Sequence, residues 1–134
     1  MKFTDRGQSL VEFAISLIVI LILLSGVVDV GIALFQHIQI RDAAQEGALY
    51  GSICPKDFNK IEQRARAASS SPLNLQNKDV FVGVEYTDEG SAIKVTMKYD
   101  HRIFMPLLPD ILGVKYIYLK TSVTDTILTE KYCD

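Results

Sequence analysis

Between Phe13 and Val28 the chain reads FAISLIVILILLSGVV, a run without a charge whose only polar side chains are Ser16 and Ser25. Glu12 bounds it on one side and Asp29 on the other, and Val30 to Phe35 is apolar again. From Glu12 to Asp29 is 29 − 12 = 17 helical steps, about 25 Å at ~1.5 Å per residue. A bilayer core is about 30 Å thick, so a helix with its span at about residues 13–35 crosses it. A helix that is apolar on every side needs a large protein or a lipid phase around it. The 134-residue chain is enough for one ordinary domain and too short to wrap such a helix.

A cleaved secretory signal peptide is the main competitor. It requires small residues at −3 and −1 just beyond the apolar run. The run passes instead into VVDVGIALF, and helical patterning continues well past it. The flank MKFTDRG carries Lys2 and Arg6 against Asp5, together with the initiator amine. The positive-inside rule keeps such an end in the cytoplasm and sends the rest outward.

Glu12 stands at the cytoplasmic edge of the apolar helix, where a carboxylate is costly without a partner. On its own it reads as a residue at headgroup level. Its context is Gly7-Gln8-Ser9-Leu10-Val11-Glu12-Phe13, and this string resembles the cleavage motif of type IV prepilins and pseudopilins. The resemblance implies a short basic leader Met1–Gly7, a cut between Gly7 and Gln8 by a membrane-embedded prepilin peptidase, and Glu12 as the fifth residue of the mature chain. It also implies that the Glu12 carboxylate neutralises the new α-amine of a neighbouring subunit. Many pilins have Phe at the first mature position, where this chain has Gln8.

Four features in order narrow the resemblance: Arg6-Gly7, Val11-Glu12-Phe13, Val28-Asp29-Val30-Gly31 and Ala43-Ala44-Gln45-Glu46-Gly47-Ala48. Over about the first 51 residues the chain is similar to the TadE-like proteins, minor pseudopilins of the tight-adherence (Flp/Tad) pilus system. Two departures are Leu49, where the family usually has Arg, and the absence of the usual Pro from the apolar run. The family implies as partners the prepilin peptidase, other pseudopilins, the major pilin, the inner-membrane assembly platform and the lipid bilayer. Glu12, Phe13 and Asp29 are the expected assembly residues. Asp29 has two readings at this stage: a residue at the outer interface facing water, or a contact fixing helix register between subunits.

Beyond Phe35 the pattern turns amphipathic, and one helix is expected over residues 8–51 with Gly51 as its C′ residue. Ala43, Gly47 and Gly51 form a small-residue stripe suited to close packing against the rest of the chain. A second helix is expected over Pro55–Ser69, with Phe58, Ile61, Ala65 and Ala68 on one face. From Lys78 the period becomes two. Val80, Val82, Val84 and Tyr86 alternate, Asp88-Glu89-Gly90 turns the chain, and Ile93, Val95, Met97 and Tyr99 repeat the pattern. A further strand is expected over about Lys115–Leu128, with Ile117, Leu119, Thr121 and Val123 inward. The apolar connection Phe104–Leu112 is expected to cap the core. The fold class is therefore α+β: a long N-terminal transmembrane α-helix, a pilin-like stalk, then a short helix and a three- to four-stranded antiparallel sheet. The head is residues 52–134.

Enzyme chemistry has no foothold in the pattern. His37 and His101 stand alone, no metal-ligand spacing occurs, and there is no Gly-rich phosphate loop, G-x-S-x-G or C-x-x-C. No cofactor is expected. The net charge of −2 lacks the electrostatic footprint of a nucleic-acid binder. Cys54 and Cys133 both fall in the extracytoplasmic head of this topology, where disulfides persist, and a bridge between them is expected. The competing class is a membrane-anchored extracytoplasmic binding or sensing domain that keeps its leader.

Overall fold

A computed structural model of the chain describes residues 5–68, 80–87, 91–105, 109–110 and 113–129. The apolar run and the amphipathic stretch after it form one continuous helix, α1, Asp5–Ile53. Its length is about 70 Å at ~1.5 Å per residue. Every side chain from Gly7 to Leu21 is exposed, as in a helix whose surroundings are not supplied by its own chain. Helix α2, Phe58–Ala67, follows after a short turn. The Asp57 carboxylate accepts the Lys60 amide at 3.1 Å and caps its first turn.

Three strands follow: β1, Phe81–Thr87; β2, Ala92–Arg102; and β3, Tyr116–Thr126. They form an antiparallel meander in the order β1-β2-β3. The period-two pattern sets the faces. Ile93, Val95, Met97 and His101 of β2 are buried, while the residues between them are more exposed. Val95 pairs with Val84 on one side and Val123 on the other, so the apolar face is continuous across the sheet. On the open face, Lys94 Nζ lies 2.8 Å from Glu85 Oε1 across the β1–β2 register. This hydrogen-bonded ammonium holds the Glu85 carboxyl below its ordinary value.

The core is assembled between α1, α2 and the sheet. Ile40, Ala43, Ala44 and Ala48 come from α1, Ile61 and Ala65 from α2, and Ile93, Val95 and Met97 from β2. Tyr86 anchors β1 to the turn between the helices, its hydroxyl donating to the Pro55 carbonyl at 2.8 Å and its ring 5.2 Å from that of Phe58. The end of β3 is tied to the end of α1: the Leu128 amide donates to the Ser52 carbonyl at 2.8 Å and the Thr129 hydroxyl to the Ile53 carbonyl at 2.6 Å.

The α+β class is observed, with three antiparallel strands among the described residues. Helix α1 runs past Gly51 to Ile53, so Gly51 is not a C′ residue. A Cβ on Gly51 would lie 2.9 Å from Ile93 Cγ2, and one on Gly47 2.9 Å from Ala65 Cβ. The stripe is thus a set of close approaches, Gly47 to α2 and Gly51 to β2. Helix α2 begins at Phe58 and not at Pro55 because Asp57 caps it through the Lys60 amide, and Ser69 lies outside the described residues. Ile61 and Ala65 are buried on it, while Phe58 and Ala68 are exposed. The Asp88-Glu89-Gly90 turn and most of the leader, residues 1–4, lie outside the described residues.

The candidate assembly helix and its seam with the head

Helix α1 divides lengthwise. Along one face, Ser25, Asp29, Ala33, Gln36, Ile40, Ala43, Gly47 and Gly51 recur at steps of three and four, and from Asp29 onward they are buried. The head lies along this face. Opposite it, Val30, Leu34, Ile38 and Leu49 remain between 48% and 63% exposed. A solvated helix does not present such residues along its length, so this face and the bare apolar half form one surface suited to lipid or to another helix.

The seam between helix and head is polar at the end nearer the bare apolar half of α1. Asp29 is only 4% exposed. Its carboxylate accepts two backbone amides, from Phe104 at 3.2 Å and Met105 at 2.9 Å. A buried carboxylate needs such donors, and charged acceptors make the stronger hydrogen bonds. One turn nearer the N-terminus, Ser25 Oγ lies 3.2 Å from Met105 Sδ. Two turns in the other direction, Gln36 Oε1 lies 2.6 Å from His101 Nδ1. The Gln36 amide oxygen accepts from His101 Nδ1–H, and the ring is buried to 1% exposure. Its Nε2 has no hydrogen-bond partner among the described residues.

Gly7 and Gln8 are exposed residues in the first turns of α1, and a Cβ on Gly7 would meet nothing within 4 Å. Glu12 is exposed, and its carboxylate forms no ion pair among the described residues. Phe13 is 66% exposed. Glu12 and Phe13 thus belong to the bare, exposed half of the helix. Asp29 corrects the reading of a water-facing residue: its carboxylate is used inside the chain, holding the segment after β2 to the helix. That segment docks on α1 through Met105, whereas Phe104 stays 76% exposed, so Phe104 does not cap the core. Pro106–Leu108, Ile111 and Leu112 lie outside the described residues. Cys54 is buried at the end of α1 and is not a free thiol; Cys133 lies outside the described residues.

The Gln36–His101 pair has no counterpart in the sequence reading, which left His101 isolated. The available signal was helical spacing: Ser25, Asp29 and Gln36 fall on the same face as Ala33, Ile40 and Gly47. Polar residues on the docked face of a helix require partners from whatever docks there.

No curated protein and no solved structure matches the chain. The family model described as TadE-like protein matches residues 7–49, about a third of the chain. The matched segment lies within α1, from the bare Gly7 turn into the buried stripe, and contains Gly7, Val11-Glu12-Phe13, Val28-Asp29-Val30-Gly31 and Ala43–Ala48.

Proposed function

We propose that the chain is a minor pseudopilin in biogenesis of a tight-adherence (Flp-like) pilus, a single-pass membrane protein that works by packing and not by catalysis. Its N-terminus is cytoplasmic and its head extracytoplasmic. The leader Met1–Gly7 is removed by prepilin peptidase, which leaves Gln8 as the new N-terminus. The observation that carries the reading is the bare half of α1: Leu10, Val11, Phe13 and the apolar side chains after them are highly exposed, with Glu12 set among them. A carboxylate there waits for a cation from outside the chain, and the α-amine of a neighbouring processed subunit supplies one. Other pseudopilins, the major pilin and the inner-membrane platform are the partners of this surface.

The test is co-expression with the matching peptidase and mass spectrometry of the product. The expected result is a chain shortened by Met1–Gly7, with Gly7→Leu left at full length. Glu12→Gln should be cut and inserted but recovered poorly in pili. Breaking one side of a buried ion pair costs about 3–5 kcal/mol, against under ~1 for an exposed pair. A wild-type chain that keeps its leader points to an anchored binding domain instead.

A further inference from the structure

The head does not stop above the membrane. A span of about 30 Å beginning near Phe13 takes roughly 20 helical residues and ends near Ala33. Asp29 and Ser25 lie inside that limit, and they are the residues that hold Met105 and the Phe104 amide. The segment after β2 therefore descends along α1 to the level of the outer acyl chains. There it presents a 76% exposed Phe104.

Beside that ring is a cleft of about 630 Å³ lined by Arg102, Phe104, Met105, Lys115 and Tyr116 among others. Among the described residues its lining contains two cations and no carboxylate; Asp110, next to the lining residue Pro109, is exposed. The Ile103 amide donates to the Lys115 carbonyl at 3.2 Å, which fixes the two cation-bearing segments side by side. An aromatic ring at acyl depth, a tyrosine at the interface and cations reaching toward phosphates are the composition that a membrane interface selects.

We propose that this cleft binds the phosphate headgroup of an anionic phospholipid in the leaflet on the head's side, with Arg102 and Lys115 on the phosphate and Phe104 inserted among the acyl chains. The helix then fixes how deep the head sits, and the lipid fixes how it is turned. The inference rests on the membrane-span reading of α1.

The chain has no tryptophan, so Phe104→Trp in the full chain is a sole reporter. In nanodiscs of phosphatidylcholine with a minor share of phosphatidylglycerol, its emission should be blue-shifted and quenched by lipids brominated high on the acyl chain. Thr124→Trp, on the open sheet face at the far end of the head, should be unaffected. Native mass spectrometry should show phosphatidylglycerol retained over phosphatidylcholine. A cation near a charged surface contributes about a fivefold factor, so Arg102→Gln with Lys115→Gln should lower that preference by roughly 25-fold. Lys120→Gln, on the open face, should leave it unchanged. An unquenched Phe104→Trp in an inserted protein overturns the proposal, as does an equal preference in wild type and the double variant, or an equal loss in Lys120→Gln. Should the double variant fail to fold by circular dichroism, the quenching result decides alone. A wild-type chain that alkaline carbonate strips from vesicles refutes the span itself, a separate failure.

Discussion

Asp29 offers the sharpest test of the seam. Its carboxylate is buried and accepts the amides of Phe104 and Met105 at 3.2 and 2.9 Å. A hydrogen bond to a charged group contributes about 1.5–3 kcal/mol. Asp29→Ala removes both acceptors and leaves two amides unsatisfied, so local opening of the segment should become easier by about 3–6 kcal/mol. At ~1.4 kcal/mol per tenfold, that is two to four decades in amide exchange, less if opening of the whole head sets the limit first. Asp29→Asn keeps one carbonyl oxygen and turns an NH₂ toward the second amide, so it should fall between. Hydrogen–deuterium exchange of peptides covering 103–105 in nanodiscs measures the effect. The Leu128 amide, bonded to Ser52 at the other end of the head, serves as the reference and should not change. Exchange at 104 and 105 that is the same in wild type and Asp29→Ala would refute the claim that this carboxylate holds the segment.

Two glycines of one helix should respond oppositely to alanine. Each substitution gains about 1 kcal/mol of helix propensity, but at Gly31 a Cβ meets nothing within 4 Å, while at Gly47 it meets Ala65 Cβ at 2.9 Å. Overpacking costs about 1–3 kcal/mol. Thermal unfolding in detergent should therefore show Gly31→Ala unchanged or raised and Gly47→Ala lowered, by about 4–8 °C per net kcal/mol; equal midpoints would remove the close approach. Thr129 bonds to Ile53, next to Cys54, and Cys133 follows Thr129 by four positions in the sequence. A bridge closing 133 − 54 = 79 residues contributes about 4–5 kcal/mol in the chain-entropy model. Peptide mapping of exported protein without reduction should recover the linked pair, and two alkylatable thiols would sink it.

The apolar run and the change of period at Lys78 were legible because each is a local property of the chain. A helix apolar all round and a strand alternating in and out are written in neighbouring residues: α1 and the alternating β2 and β3 are observed, while Lys78 lies outside the described residues and β1 begins at Phe81. Partner choice is written only in three dimensions. Asp29 and Phe104 are separated by 75 positions, and Gln36 and His101 by 65. From sequence, Asp29 is one acid at the end of an apolar run, and only the descent of the segment after β2 along the helix gives it two amides. Gly51 failed for a related reason. A glycine near a helix end suits a C′ position, but it equally suits a mid-helix contact, and the Ile93 side chain that distinguishes them is 42 positions away (93 − 51 = 42).

The strand β2 and its continuation meet α1 at three fixed stations: Ile93 against Gly51, His101 on Gln36, and Met105 on Asp29. The stations run in opposite directions along the two elements, so the pair is keyed like a notched rod against its bracket. A tensile load applied along the helix has to shear all three at once and cannot peel them in turn. Shifting the head by one helical residue would rotate the stations by about 100° and misalign every one of them. The stalk and its head therefore transmit axial force as a single rigid strut, and any length change in one must be matched in the other.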